Sequence, residues 1–238
     1  MGLGVPKDQE EAVRWFRKAA EQGHIEAQTT LANHIFMGWG IRQDLEEAVR
    51  WFRRAAEKGG ANAQVALGNS YAKGEGVPKS QEEAVRWFRK AAEQGHAEAQ
   101  LMLGARYYNG QGVPKDQEEA VRWFRKAAGK GLPGAQYNLG QCLYTGEGIR
   151  QDREEAVRWF RKAAEQGFVG AQYNLGICCA KGEGVPKDYV NAYKWFNLAA
   201  AKGDKDSAKA RDSMEARMTR EQIAEAQKLT KSWKPIEP

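Results

Sequence analysis

No run of about 18 apolar residues occurs anywhere in this sequence, so no segment is expected to cross a bilayer as a helix. Cysteine is scarce at 3 residues, too few for a fold held together by disulfides. Histidine is equally scarce, and no pair among His24, His34 and His96 has zinc-ligand spacing, so no metal is expected. No two carboxylates stand apart as an acid and base pair, and neither catalytic residues nor a cofactor is predicted. Charge of one sign is not concentrated either. The net charge is +6, but the lysines and arginines alternate with glutamates at helical spacing, which reads as a solvated face rather than a nucleic-acid footprint. Met1-Gly2-Leu3-Gly4 has neither a basic nor a hydrophobic lead. A cytoplasmic setting is therefore expected unless a leader was removed ahead of Met1.

What the chain has in abundance is repetition. The stretch Glu-Glu-Ala-Val-Arg-Trp-Phe-Arg-Lys-Ala-Ala first runs from Glu10 to Ala20, and its tryptophan returns as Trp15, Trp51, Trp87, Trp123, Trp159 and Trp195. The spacing is about 36 residues each time, a period that marks a stacked-repeat architecture. Apolar Ala12, Trp15, Phe16, Ala19 and Ala20 fall on one helical face, and Glu10, Glu11, Arg14, Arg17 and Lys18 cover the other. Asp8 and Glu11 open this helix, the second of each repeat pair, as a capping pattern. The pattern recurs at Asp44/Glu47, Ser80/Glu83, Asp116/Glu119 and Asp152/Glu155, and a glycine follows each copy. The first helix of each pair is expected to open near Ala27-Gln28, Ala63-Gln64, Ala99-Gln100, Ala135-Gln136 and Ala171-Gln172. Inside it Gly68, Gly104, Gly140 and Gly176 recur, and a mid-helix glycine that costs roughly 1 kcal/mol implies close packing. Cys142 and Cys178 lie one period apart on neighbouring helices. Such helices pack about 8–10 Å apart, beyond the roughly 7 Å a disulfide spans; with Cys179 they read as small apolar fillers.

These residues predict an all-α array at 1–203, made of a half repeat at 1–23 and five full repeats at 24–203. Gly2 to Asp8 matches Gly110 to Asp116, which elsewhere joins two helices, so the first helix is expected to lack its usual cover. Capping helices are expected at 204–234, from about Asp206 to Arg217 and from Thr219 to Ser232, with a loose tail at 235–238. Leu198, apolar where other copies have Lys126 or Lys162, asks to be covered by them. The linkers, such as Gly74-Glu75-Gly76-Val77, are flanked by helices and lack the third glycine of a phosphate-binding loop.

The copy at 135–167 shows the pattern in full: Ala135-Gln136, Leu139-Gly140, Gly146-Glu147-Gly148-Ile149, Asp152, Ala156, Trp159-Phe160, Lys162-Ala163-Ala164 and Gly167. It resembles the Sel-one-like repeat family, kin of the tetratricopeptide repeats. The resemblance implies a right-handed superhelical α/α solenoid whose first helices line a concave wall, and adaptor work between proteins, in many bacterial settings.

Where the copies disagree is the more informative signal for binding. On the first helix of each pair, the face opposite the Ala-Leu-Gly-Tyr packing face is centred on Asn33, Asn69, Ala105, Gln141 and Ile177. Tyr108 and Tyr144 lie one period apart, as do Tyr137 and Tyr173, with Asn138 and Asn174 beside them to bond an extended peptide backbone. The competing reading is that these tyrosines only fill space between helices. A second cluster is Phe36, Met37 and Trp39, the last either anchoring a partner or covering for the missing N-terminal helix; Lys73 completes the set. The expected function is a non-enzymatic scaffold holding a protein or peptide partner in the groove, with no nucleic acid. One alternative is a self-assembling module that forms a homodimer through the N-terminal half repeat. A remote one is a cell-wall-active, penicillin-binding or β-lactamase-like enzyme. For that, Ser70 and Lys73 supply Ser-x-x-Lys, but Ser-Asp-Asn and Lys-Thr-Gly are absent.

Overall fold

The computed structural model describes residues 8–236, and every regular element among them is an α-helix. The N-terminal lead up to residue 7 and the last two residues lie outside the described residues. The chain forms two compact units, Met1–Lys115 and Asp116–Pro238.

The first unit holds α1 (Gln9–Glu21), α2 (Ile25–Met37), α3 (Leu45–Glu57), α4 (Ala61–Lys73), α5 (Gln81–Glu93) and α6 (Ala97–Asn109). The second holds α7 (Gln117–Gly129), α8 (Pro133–Thr145), α9 (Arg153–Glu165), α10 (Val169–Lys181), α11 (Tyr189–Ala200), α12 (Lys205–Glu215) and α13 (Arg220–Ser232). Within each unit successive helices up to α12 pack on one another, and both α12 and α13 pack on α11.

The odd-numbered helices up to α11 begin where the capping pattern places them. Asp8, Asp44, Ser80, Asp116, Asp152 and Asp188 each accept a backbone N–H from the third helical residue, as at Glu11 (2.9 Å) and Asn191 (3.0 Å). The even-numbered helices of the array, α2 to α10, begin two residues earlier than expected. Their N-cap residues are His24, Gly60, His96, Leu132 and Phe168, of which only His96 caps with its side chain. Apart from Pro133 at the first position of α8, no strong start signal is written there.

The recurring Gln is therefore not a helix opener. It sits one turn in, buried, and reaches back to the helix before: Gln28 Nε2 donates to Ala20 O (3.0 Å), Gln64 to Ala56 O and Gln100 to Ala92 O (3.1 Å each). Each of these last-turn carbonyls also accepts a turn N–H, as Ala20 O does from Gly23 at 3.0 Å, so the amide adds a second bond that ties one helix to the next. The recurring glycine is explained as directly. A Cβ on Gly68 would lie 2.6 Å from the Phe88 ring, and one on Gly176 would lie 2.6 Å from Phe196. The loops turn on left-handed glycines such as Gly74 (φ 79°), followed by Gly76, which has no room for a side chain against the Leu45 carbonyl.

At the C-terminal end Leu198 is buried under α12 and α13, Thr219 and Gln222 form a reciprocal capping box, and Trp195 meets Trp233 edge to face at 6.5 Å. Of the tail expected to be loose, Ile236 donates its backbone N–H to Glu165 O at 2.8 Å. Among the described residues no helix is long and apolar enough to cross a membrane.

Candidate functional site

The variable residues are carried by the even-numbered helices of the array and the loop after α2; each of these helices has a buried glutamine, and in α4, α8 and α10 a following phenylalanine packs on the helix glycine. In the first unit Asn33, Met37, Trp39 and Lys73 are exposed, and Phe36, Asn69 and Tyr108 are half-buried. Phe36 packs on Phe52 at 6.3 Å. Trp39 keeps 49% of its surface in solvent, but it is tied to α1 through His34. The His34 ring is 5.9 Å from Trp39, edge to face, and 5.3 Å from Phe16, and its Nδ1 bonds the Trp39 carbonyl at 3.0 Å. Lys73 pairs with Glu75 at 3.8 Å, and Ser70 is 2% exposed. The Ser-x-x-Lys pair is thus a sealed hydroxyl and a lysine turned to a loop carboxylate, with no geometry for attack on a substrate. Lys115 Nζ lies 6.0 Å from the Tyr108 ring.

In the second unit the structure brings Tyr137, Gln141 and Asn174 into one polar line: Asn174 Nδ2 donates to Gln141 Oε1 at 2.9 Å, and Gln141 Nε2 to the Tyr137 hydroxyl at 3.4 Å. All three are half-buried, as are Asn138, Tyr144 and Tyr173. The tyrosine rings do two jobs. Tyr137 rests on Phe160 and Phe168, Tyr173 on Phe196, and Tyr144 on Phe160, while the remaining surface faces solvent.

The Tyr144 hydroxyl is engaged within the protein. It donates to the Glu183 carboxylate, Arg153 lies 3.8 Å from that carboxylate, and the guanidinium is 5.5 Å from the ring. Burial and the neighbouring Glu183 push the Tyr144 phenol up to about 12. The sequence signal for this contact was the recurring acid or amide of the loops, here Glu183. Burial likewise raises the thiols of Cys142 and Cys179 to about 11 and that of Cys178 to about 12, so they behave as apolar fillers rather than nucleophiles. His96 caps α6 and bonds Asn62 at 2.9 Å.

The profile of the Sel1 repeat matches residues 1–24, 25–60, 61–96, 97–132, 133–168 and 169–204. The chain belongs to the Sel1 repeat family. This Sel1 repeat chain is similar to a Sel1 repeat protein from Oxalobacter formigenes, at 35% identity and a TM-score of 0.80, over 88% of this chain and 61% of that one. It is also similar to a protective antigen of uropathogenic Escherichia coli with an SLR fold, at 33% identity and a TM-score of 0.63, over 98% of this chain and 58% of that one. The Sel1 repeat chain thus spans about three fifths of the length of these two relatives. An immunity protein from Pseudomonas aeruginosa, 20% identical with a TM-score of 0.51 over 83% of this chain and 75% of that one, shares the fold alone. No curated protein matches the chain. The Sel1 repeat is a tetratricopeptide-like solenoid of helix pairs, a fold generally used for protein–protein interaction.

Proposed function

We propose that this chain is a non-enzymatic scaffold that holds an extended peptide or a partner's loop on the variable face of its even-numbered array helices. The observation that carries this reading is the Tyr137–Gln141–Asn174 line. Neutral amides and a phenol, held in place but half-exposed, offer donors and acceptors to a peptide backbone without a charge requirement. Tyr173 and Asn138 extend that face in the same unit, and Asn33, Phe36, Met37, Trp39, Asn69, Lys73 and Tyr108 are its counterparts in the first. Because the tyrosine rings also support Phe160, Phe168 and Phe196, removing them would confound binding with stability. Gln141→Ala with Asn174→Ala is the cleaner test. A photo-crosslinker placed at Thr145 should trap a partner from native extract, one at Arg158 on α9 should not, and the double variant should lose the product while melting within a few degrees of wild type. Equal trapping by the double variant overturns the reading.

A second reading, self-association through α1, is favoured by Trp15, which is 61% exposed. A concentration-dependent dimer in sedimentation that Trp15→Ser abolishes would establish it; a monomer at all concentrations would dismiss it.

A further inference from the structure

The last array helix departs from the repeat where α5 and α7 carry an ion pair. In α5 the Arg86 guanidinium is 2.6 Å from Glu83, and in α7 Arg122 is 3.1 Å from Glu119. The equivalent residues of α11 are Asn191 and Lys194, so the cation is kept and its carboxylate is gone. Asn191 instead turns to the helix start, donating Nδ2 to Asp188 at 2.7 Å. The Lys194 ammonium is left 4.5 Å from the centre of the Trp195 ring, half-buried, and among the described residues no carboxylate lies within ion-pair distance of it. Burial lowers its pKa, Glu165 acts against that shift and the like charge of Arg161 adds to it.

These substitutions open onto a cavity of about 740 Å³ lined by α9, α11, α13 and the loop before α11. That volume falls among small-molecule sites, which run from about 300 to 1,000 Å³. Arg161, Lys187 and Lys194 face Glu165 and Asp188, and the Asp188 carboxylate is spent on the α11 cap. The groove along α5 is different: Glu82, Glu83 and Glu93 balance Arg86, Arg89 and Lys90 there. The cavity at α11 carries one more cation than carboxylate, as the grooves along α9 also do, and here the cations are set beside Val185 and Val190 with the edge of the buried Trp195 behind them.

We propose that this cavity binds a small organic anion, one negatively charged head held by Lys194 and Arg161 and an aromatic or aliphatic body laid against Trp195 and Val190. A charge-assisted hydrogen bond to a desolvated ammonium favours the head, and the wall takes the body. The site is independent of the helix face described above.

The probe is anilinonaphthalenesulfonate, with N-phenylnaphthylamine as its uncharged counterpart, followed by fluorescence and by amide chemical shifts. The sulfonate should bind once, perturb Val190, Lys194 and Trp195, and bind more tightly than the neutral amine. Asn191→Glu rebuilds the ion pair that α5 and α7 tolerate, so it should fold and should weaken the sulfonate roughly tenfold, the worth of one hydrogen bond to a charged group. Lys194→Gln should do the same, and neither change should alter the neutral amine. No sulfonate binding by the wild type, equal binding by Asn191→Glu, or perturbed amides confined to residues outside this cavity each overturn the proposal.

Discussion

Helices α1 and α5 have the same 13 residues, Gln-Glu-Glu-Ala-Val-Arg-Trp-Phe-Arg-Lys-Ala-Ala-Glu, and different surroundings. Both are capped at the N-terminus, and in both a lysine rests on the tryptophan, Lys18 at 4.5 Å from Trp15 and Lys90 at 4.0 Å from Trp87. Yet Trp15 is 61% exposed and Trp87 8%. Helix α5 packs between α4 and α6, whereas α1, among the described residues, packs chiefly on α2. Local sequence therefore decides that this segment is a helix and which stripe is apolar. The neighbouring repeat decides how much of that stripe is buried, as nearest-neighbour stacking requires.

The sharpest way to break this comparison is to delete the same side chain in both places. Trp87→Ala should cost about 3–5 kcal/mol, as large aromatic deletions in cores do. Trp15→Ala should cost about 1 kcal/mol or less, as surface substitutions do. Urea unfolding of the full chain measures both. Equal losses would mean that Trp15 is covered in solution.

A smaller effect probes the packing between helices directly. Gly68→Ala sets a methyl against the buried Phe88 ring, and overpacking of this kind costs about 1–3 kcal/mol, partly offset by the roughly 1 kcal/mol that alanine gains over glycine in a helix. Gly129, at the end of α7, has nothing within 4 Å of an added Cβ, so Gly129→Ala should be neutral or stabilising. A neutral Gly68→Ala would show that Phe88 swings aside and that the recurring glycine is not there to admit it.

The same contrast explains how far the sequence could be read. The period, the tryptophan helices and their caps are local or repetitive signals, and they were legible; so was Leu198, an apolar residue on a wet face that called for the cover α12 and α13 provide. The starts of α2, α4, α8 and α10 were not, because residues such as Leu132 and Phe168 cap them without a side-chain bond, and that of α6 rests on His96, a residue type seldom read as a cap. The buried glutamines were misread for a related reason. Their partner is a carbonyl eight residues back, as in Gln64 to Ala56, and only the packed pair puts them within reach. For the candidate face, the sequence identified which positions vary. It did not show that the Tyr144 hydroxyl is engaged by Glu183 or that Asn174 reaches Gln141, since both contacts cross from one repeat to the next.

The last test holds packing fixed and varies only the local signal. The two identical helices are capped differently, α1 by Asp8 at 2.9 Å and α5 by Ser80 at 3.2 Å. Ser80→Ala should cost about 1 kcal/mol by leaving a first-turn N–H without its acceptor. Ser80→Asp gives α5 the cap that α1 already has. It keeps the acceptor and adds a negative charge at the positive end of the helix dipole, worth about 0.3–1 kcal/mol, but the charge stands close to Glu82, whose carboxylate now accepts from the Ser80 hydroxyl at 3.1 Å. Losing that bond and gaining a like charge oppose the dipole term, so the net change should stay within about 0.5 kcal/mol. A gain that grows as salt is lowered would show the dipole term winning, and a loss that deepens as salt is lowered would show the Glu82 repulsion winning.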